Sequence, residues 1–468
     1  MKLLIFSIGP IFEDVVHGGS QKVLIDIAKG LGEKGWVVDI LSPPREGMTD
    51  AFSLSQNVTV LPVIPLKGSF PTPYGVSPFR LMTVQKNLEK YLPNYDLFYI
   101  HDGSLLIENV KNVIPTVTSL RDFCYQETLL GAMNFKEKYL IVNSNHTYDC
   151  LLDSFGQINP SIKNKTRLVY NGYSYEKIHK VRPSETVLSL LGLSEEDLNK
   201  LRLIGFPHRP DLDKGFLEAL ELMSKLKEKD ESLRLCIPMY MDTGVSSRAD
   251  STYSIVSEFI QKKGLEKFVI FHPWIPHDLI NEYYSLCSMV LCIGTFVESF
   301  SNVSVESLMC ETPVLATNVA TYRSMPIREY LSIADHGNSE QLFDMAVNIL
   351  NGGMKEKTIA GRDYIIENLN MDTMINNYQQ IFEAAVDGIE DTNEYKEDSL
   401  ENGYRLASWC VAIGNRIYND YVNDFVSDDL DAMIFRKKQY WTREELLEAG
   451  INEKIIDEAV NEGTLILC

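Results

Sequence analysis

The sequence predicts an α/β protein with two Rossmann-like domains facing a cleft, followed by a small, mostly helical appendage. Short apolar runs, typical of strands buried on both faces of a parallel sheet, alternate with longer segments of helical apolar spacing. The alternation loosens near residues 173–200, starts again, and stops in an acidic stretch after about residue 388. We therefore expect a first domain over 1–180, a second over 181–387 and an accessory domain over 388–468.

The strands and helices of both domains follow from these runs. In the first domain, "QKVLIDIAKGLGEKG" predicts an amphipathic helix that stops at Gly35, and the expected strands are "KLLIFSI", "WVVDILS", "VTVLPV", "LFYIH", "PTVTSL", "YLIVNS" and "TRLVYN". In the second, helices are expected at "GFLEALELMSKLKEK" and "SEQLFDMAVNILN", and strands at "LRLIGF", "LRLCIPM", "KFVIFHP", "MVLCIG", "TPVLATN" and "YLSIAD". Ligands of such sheets bind at the carboxyl ends of the strands, so the cleft is the expected site.

The accessory domain begins with the acidic "DGIEDTNEYKEDSLE", an expected hinge. Its last part has a capping box, Thr442 with Glu445, and predicts a helix, a turn at Gly450, a second helix, Gly463 and a short strand. That order is similar to a small winged-helix unit. DNA-binding units of this kind need a basic recognition helix, and "NEKIIDEAVNEG" is acidic. The pattern favours a structural role, a protein contact or a dimer interface.

Charge and composition narrow the class of protein. The 468-residue chain has a net charge of −21 and no extended basic region, which argues against a nucleic-acid partner. Residues 1–180 carry 18 Lys and Arg against 17 Asp and Glu, whereas residues 387–468 carry 8 against 19. No apolar run reaches bilayer-spanning length, and "MKLLIFSIGP" is interpreted as a first strand rather than a signal peptide. Eight cysteines without paired spacing indicate reduced thiols in a cytoplasmic protein.

Two cations stand where a strand of the second domain gives way to a helix. In "GFPHRPDLDKGFLEAL", Arg209 and Lys214 lie five residues apart just before the helix begins. A helix N-terminus offers free N–H groups and a positive dipole, and the two side chains add charge. This loop is a candidate site for a diphosphate, where both cations stabilise a departing anion.

Two carboxylates follow a later strand of the same domain. In "GTFVESFSNVSVESLMCETPVLATN", Glu298 is expected at the carboxyl end of a strand and Glu306 about one turn into the next helix. A carboxylate can accept hydrogen bonds from two adjacent sugar hydroxyls. One glutamate could therefore hold a ribose and the other a transferred hexose. A phosphate could meet the helix start between them, formed by Phe300, Ser301, Asn302 and Val303.

Four motifs in this order resemble the retaining GT-B glycosyltransferases of the family-4 type, over residues 1 to about 385. The first is the Gly18–Gly19 loop that opens the first helix, and the second is Asn171–Gly172 in "VYNGYS". The third is the Arg209 and Lys214 pair. The fourth is the E-x7-E run from Glu298 to Glu306, followed by a Pro-Val strand.

The resemblance implies a function for each motif. Glu298 would contact the donor sugar and Glu306 the ribose, while Gly19, Arg209 and Lys214 would hold the diphosphate. It implies transfer of a hexose-type sugar from a nucleotide sugar, most commonly a UDP-sugar, to a hydroxyl acceptor with retention at the anomeric carbon. No cofactor beyond the donor and no metal is expected, and the "DLD" at 211–213 and "DDLD" at 428–431 are interpreted as surface acids.

The chain also departs from the family pattern. Ser301 and Glu311–Thr312 stand where the family usually has glycine. Arg121–Asp122 stands in place of a His-Asp pair whose histidine contacts the donor sugar or its phosphate. Arg121 could replace it, binding a phosphate or a carboxylated sugar, or could be a surface arginine. His101, in "YIHDGS" at a strand end, is a second candidate for the cleft.

Other functions stay open at this point. A nucleotide-sugar epimerase would share the fold, and a catalytically degenerate scaffold could recruit a partner through its acidic tail. An NAD-dependent enzyme is disfavoured because "SIGPIFED" lacks G-x-G-x-x-G after the first strand. The acceptor could be a small molecule, a glycan, a peptide or a modified nucleobase. We expect it to bind the first domain near "PLKGSFPTPYGVSPFR", residues 65–80.

Overall fold

A computed structural model describes residues 1–12, 18–45, 49–67, 72–103, 105–239, 249–388, 403–426 and 430–467. Two large sheets, each covered by helices, form two Rossmann-like domains that face a cleft, and a third small unit follows. The predicted fold class is confirmed. No helix in these ranges has both the length and the apolar character needed to cross a membrane.

The first domain is built on an eight-stranded sheet. Its strands are β1 (Lys2–Phe6), β2 (Val37–Leu41), β3 (Phe52–Ser55), β4 (Val58–Leu61), β5 (Leu97–Ile100), β6 (Thr116–Leu120), β7 (Tyr139–Val142) and β8 (Thr166–Leu168). Its helices are α1 (Gly19–Glu33), α2 (Pro78–Tyr91), α3 (Gln126–Met133), α4 (Asn145–Asp153), α5 (Phe155–Ile158) and α6 (Pro160–Lys165). The strand order is β3-β4-β2-β1-β5-β6-β7-β8, and all strands are parallel except β3. Strand β3 is also the one strand of this sheet that the sequence pattern did not predict.

The second domain is built on a six-stranded parallel sheet. Its strands are β9 (Arg202–Gly205), β10 (Leu233–Met239), β11 (Val269–Pro273), β12 (Cys287–Cys292), β13 (Val314–Thr317) and β14 (Ser332–Ala334), in the order β11-β10-β9-β12-β13-β14. Its helices are α7 (Glu185–Leu191), α8 (Phe216–Leu226), α9 (Ala249–Lys263), α10 (Ile280–Leu286), α11 (Asn302–Met309), α12 (Ser339–Leu350) and α13 (Lys355–Asn368). All six predicted strands are present.

The chain crosses between the two domains twice. Tyr173 leads into the second domain, and α14 (Met371–Asp387) returns to the first, where Tyr378 and Phe382 pack among its core residues. The two crossings lie side by side, with Tyr173 bridged to Asn370. Gly172 is needed there because a Cβ atom would lie 2.8 Å from the Met371 Cα atom. The domain boundaries taken from the sequence stay a prediction, and α14 packs on the first domain.

The accessory unit has its own small apolar core. Its helices are α15 (Ala432–Phe435), α16 (Arg443–Glu448) and α17 (Glu453–Asn461), and its strands are β15 (Tyr404–Leu406), β16 (Cys410–Ile413), β17 (Arg416–Asn419), β18 (Asp424–Phe425) and β19 (Leu465–Leu467). The capping box, the two helices around Gly450 and the final strand after Gly463 occur as predicted. Strands β15 to β18 were not predicted. Residues 389–401 of the expected hinge lie outside the described residues.

The accessory unit docks on both large domains. Its Arg405 forms a bidentate ion pair with Asp153 of α4, in the first domain. Its Asp420 forms a second ion pair with Arg323, in the turn after β13 of the second domain. Asp153 and Asp420 are both buried, so these are internal contacts rather than loose surface pairs.

Candidate functional site

A cavity of about 270 Å³ lies between the two domains, at the carboxyl ends of both sheets. Of the twelve candidate site residues that the sequence singled out, His101 does not line the cavity and the other eleven do: Gly18, Gly19, Arg121, Arg209, Lys214, Glu298, Phe300, Ser301, Asn302, Val303 and Glu306. The structure therefore brings the cation pair, the two glutamates and the glycine loop to one place.

 

Lys214 and Glu298 meet because two loops approach each other very closely. Gly215 adopts a φ of +94°, and a Cβ atom on it would lie 2.7 Å from the backbone nitrogen of Gly294. The amides of Thr295 and Phe296 donate to the Asp213 carbonyl at 2.7 and 2.8 Å. This contact brings the Lys214 ammonium group into an ion pair with Glu298.

The electrostatics of this pair favour a charged carboxylate. Burial acts to raise the pKa of Glu298, but the charge and hydrogen bond of Lys214 outweigh it and hold the pKa below its usual value. The Lys214 Nζ atom also lies 3.5 Å from the centre of the Phe296 ring. Arg209 stands at the cavity wall and is hydrogen-bonded to Tyr125 of the first domain. Arg209 and Lys214 thus stand on the same cavity as Glu298.

Glu306 points from α11 into the same cavity. Ser301 caps this helix, because its hydroxyl accepts from the Ser304 amide at 3.3 Å. The Glu306 carboxylate accepts a hydrogen bond of 3.1 Å from Lys22 of α1 and one of 3.3 Å from the Tyr284 hydroxyl. Both of its oxygens already have partners that a bound ribose would have to share or replace.

The glycine loop approaches the start of α11 directly. A Cβ atom on Gly19 would lie 2.4 Å from the Asn302 side-chain nitrogen, so only glycine fits without a shift of Asn302. Gly18 has an extended backbone, and within the described part of the chain no atom lies within 4 Å of its Cβ position. The Asn171 amide donates to Asn302 at 2.9 Å, and the Tyr173 hydroxyl donates to the same oxygen. The loop, the first crossing and α11 therefore converge on Asn302.

Arg121 is buried, so its interpretation as a surface arginine is wrong. Its guanidinium donates to the Tyr378 hydroxyl at 3.0 Å and to the Asn171 side-chain oxygen. It lines the cavity, but these two bonds tie it to the returning helix α14 and to the first crossing. Arg121 therefore ties the first domain to both connecting segments.

His101 lies beneath the glycine loop rather than in the cavity. Its ring nitrogens lie 3.0 Å from the Tyr99 hydroxyl and 3.0 Å from the Ser20 hydroxyl. Burial, together with the charge of Arg121, lowers the pKa of His101 to about 3, so the ring is neutral. The cleft position expected from the sequence is corrected: His101 directly follows β5, and its side chain turns inward, where it supports the start of α1.

Asp122 is a cavity residue that the sequence analysis did not select. Its side chain faces Glu298, Arg209 and Lys214. Burial and the negative charges of Asp102 and Glu298 outweigh the two cations and raise the pKa of Asp122 to about 7. The two cations therefore face Glu298, whose pKa is lowered, and Asp122, whose pKa is raised into the neutral range.

Lys22 and Tyr284 were also missed. Lys22 follows the glycine pair by three residues, so a cation in the first turn of α1 was the available signal. Tyr284 carries no such signal, because its contact with Glu306 depends on how α10 packs on α11.

The arrangement is suited to binding a diphosphate ester of a sugar. Cations, backbone N–H groups at a helix start and two carboxylates surround one cavity, which matches phosphate oxygens on one side and sugar hydroxyls on the other. Among the described residues, no group of three or more His, Cys, Asp or Glu side chains is arranged to hold a metal ion. Residues 428 and 429 of the "DDLD" run lie outside the described ranges.

Comparison with known proteins bears on the second domain most directly. Residues 194–358 match the model of a family described as glycosyl transferases group 1. The matched segment contains Arg209, Lys214, Glu298 and Glu306.

Solved structures share the two-domain GT-B fold. A sucrose-phosphate synthase from Thermosynechococcus elongatus is 18% identical, with a TM-score of 0.65 over 83% of this chain and 100% of that chain. HepE from Anabaena, solved in complex with UDP-glucose, is 19% identical, with a TM-score of 0.61 over 83% of this chain and 100% of that chain. At such low identity the likeness shows the fold.

A curated relative is an uncharacterized 41.2 kDa protein in the cps region of Klebsiella pneumoniae. It is 22% identical over 254 residues, which cover 52% of this chain and 61% of that protein. The chain thus spans less than two thirds of this relative's length.

Proposed function

We propose that this protein is a retaining glycosyltransferase of the family-4 type. It moves a hexose-type sugar from a nucleotide diphosphate sugar, with a UDP-sugar as the expected donor, to a hydroxyl group of an acceptor. The observation that carries the proposal is the meeting of Arg209, Lys214, Glu298 and Glu306 on one cavity between two domains. We also propose a cytoplasmic location, on the cysteine pattern.

In this proposal each side of the cavity holds one part of the donor. The diphosphate lies between Arg209, Lys214 and the start of α11, near the glycine loop. Glu306 accepts hydrogen bonds from the ribose, in addition to or in place of those that it accepts from Lys22 and Tyr284. Glu298 accepts from hydroxyls of the transferred sugar.

The transfer step uses the same groups. The acceptor oxygen bonds to the anomeric carbon on the face from which the diphosphate oxygen departs, so the configuration is retained. The departing oxygen takes the acceptor proton, and Arg209 and Lys214 stabilise the negative charge that develops on it. The two domains exclude water around the reacting atoms, which limits hydrolysis of the donor. The step requires no resident cofactor.

Complexes of similar folds support the choice of donor. HepE from Anabaena was solved with UDP-glucose and also with UDP and glucose. A trehalose-6-phosphate protein from E. coli, 12% identical with a TM-score of 0.62, was solved with UDP-2-fluoro glucose. These are properties of those proteins, and we carry the nucleotide class to this chain as part of the proposal.

The test is a panel of UDP-, GDP- and ADP-sugars, read first as protection from thermal unfolding. A donor at 100 times its Kd stabilises the folded state by about 2.7 kcal/mol, which is easily measured. We expect UDP-sugars to protect the protein, Glu306→Ala to reduce the protection and the exposed Glu356→Ala to leave it unchanged.

Turnover then separates the remaining functions. A glycosyltransferase releases UDP and forms a product whose anomeric configuration, read by NMR, matches the donor. An epimerase converts one UDP-sugar into another without releasing UDP, and a degenerate scaffold does neither. Absence of protection by every nucleotide sugar would refute the proposal.

A further inference from the structure

Asp420 of the accessory unit is a buried carboxylate that contacts both large domains. It is 1% exposed. Arg323 of the second domain donates to it through both terminal nitrogens, one of them at 2.9 Å. His146 of α4, in the first domain, lies 4.0 Å away. Burial lowers the pKa of His146 to about 4, so this ring is neutral and Arg323 is the cation that balances Asp420.

Asp420 also holds a strained turn. Residues Ala320–Arg323 form a short 3-10 turn after β13. Ala320 has a φ of +46°, a backbone conformation that residues other than glycine rarely adopt. The Ala320 amide donates to the Asp420 carboxylate at 3.2 Å. Strained backbone persists only when its surroundings hold it, and Asp420 supplies a bond to the turn at each end, at Ala320 and at Arg323.

The far side of this turn contacts the residues proposed to bind the donor. The Thr321 amide donates to the backbone carbonyl of Glu298 at 3.3 Å. The Tyr322 hydroxyl donates to the Ser301 hydroxyl at 2.9 Å. Ser301 is the cap of α11, the helix that carries Glu306. One turn thus fixes the backbone at Glu298 and the start of the helix that presents Glu306.

Apolar packing supports the same path. Tyr418 of the accessory unit is fully buried against Val319 and Ala320, and Val297 packs on this cluster. Val297 precedes Glu298 in the chain. The accessory unit therefore contacts the loops of the site on the side away from the cavity, through both the Asp420 carboxylate and apolar side chains.

We propose that Asp420 is a positioning residue for the donor site, acting through the 320–323 turn on Glu298 and on the start of α11. The inference rests on the proposed function for the identity of the donor. It assigns the accessory unit a part in building the site of the same chain.

The test compares two aspartates that dock the accessory unit. Asp420→Asn keeps the shape and removes the charge that Arg323 and the turn require. Asp153→Asn is the matched control, because Asp153 binds Arg405 and Ser408 of the accessory unit and is linked to the turn indirectly, through the Ser408 carbonyl that accepts from Arg323 at 3.0 Å. Both variants weaken docking. Tyr322→Phe removes only the hydroxyl that reaches Ser301.

Hydrogen exchange and UDP binding are measured on the full chain. We expect Asp420→Asn and Tyr322→Phe to speed amide exchange in residues 298–309 and to raise the Kd for UDP about tenfold, since small displacements of binding groups have large effects. Asp153→Asn should leave exchange in 298–309 and the Kd for UDP at wild-type values. Equal effects of the two aspartate variants, or an unchanged site in Asp420→Asn, would overturn the inference.

Exchange needs no ligand, so the two proposals fail separately. If wild-type protein binds no UDP, the proposed donor is wrong, and the exchange pattern still decides whether Asp420 orders the turn and α11. If wild-type binds UDP and Asp420→Asn binds it equally well, the donor stands and the positioning role is refuted.

Discussion

The Lys22 Nζ atom of the first domain lies 3.1 Å from the Glu306 Oε1 atom of the second domain, so an ion pair crosses the cleft. Their side chains are only 14% and 7% exposed. The pair joins the glycine-loop helix to the carboxylate that we propose binds the ribose. Donor binding must therefore rearrange a contact that already holds the two domains together.

The first prediction concerns Lys22. Lys22→Met leaves the Glu306 carboxylate buried without its cation, which should lower the free energy of unfolding by about 3 kcal/mol. Saturating UDP should restore more stability in this variant than in the wild type, because ribose hydroxyls then become the new partners of Glu306. Thermal unfolding with and without UDP measures both effects. Lys29→Met, on the same helix, is the control, and equal behaviour of the two variants would contradict the prediction.

The second prediction concerns the pair of Lys214 and Glu298. Lys214→Met should lower turnover about 10²- to 10³-fold, because a cation that stabilises the leaving group is lost. It should also destabilise the fold, and adding Glu298→Gln should recover part of that loss, with a coupling of about 1 to 3 kcal/mol in a double-mutant cycle. Urea unfolding gives the four free energies. Strictly additive effects would show that the ion pair contributes nothing, and Lys225→Met serves as a neighbouring control.

The third prediction uses two adjacent glycines. Gly19→Ala places a methyl group 2.4 Å from the Asn302 side chain and should weaken UDP binding about tenfold by displacing it. Gly18→Ala meets no atom of the described residues within 4 Å and has an extended backbone, so it should bind UDP as the wild type does. Isothermal titration calorimetry compares the two Kd values. Equal effects of the two substitutions would show that UDP binding does not depend on the close approach of Gly19 to Asn302.

The fourth prediction is a pH dependence set by Asp122. Folding raises its pKa from an ordinary 3.8 to about 7, so the folded state favours the protonated carboxyl. The stability that this group contributes is present below about pH 4 and is lost as the pH rises through about 7. Asp122→Asn should flatten the pH profile of unfolding between pH 4 and 7.

Donor binding provides a second measurement of the same group. Above pH 7 the ionised Asp122 adds negative charge beside the diphosphate site, so UDP should bind more weakly as the pH rises from 6 to 8. In Asp122→Asn this decline should be absent. An identical decline in both proteins would assign it to another group.

The sequence was enough to predict the fold and most of the site because both depend on local patterns. Apolar runs identified every parallel strand, and the capping box at Thr442 marked a helix start that the structure confirms. Strand β3 was missed because "FSLS" is short, polar and at the sheet edge, where burial leaves little pattern.

The rest of the site depends on contacts between distant parts of the chain. Tyr284 and Lys22 reach Glu306 from separate helices, and the pKa of Asp122 depends on Asp102 and Glu298. For His101, the position at a strand end predicts the correct edge of the sheet but not the direction in which its side chain points. Arg121 could be selected as a candidate, but its buried position could not be predicted, because its partner Tyr378 lies 257 residues away.

The paired crossings between the domains determine how the molecule can move. The Tyr173 amide donates to the Leu369 carbonyl at 2.9 Å, and the Met371 amide donates to the Tyr173 carbonyl at 3.0 Å, so the two connecting segments are bonded into one short ribbon. A single connection would leave the halves free to twist. We expect any opening of the cleft to be a rotation about this ribbon, limited by the ion pairs with which the accessory unit binds both domains, Arg405 with Asp153 and Asp420 with Arg323.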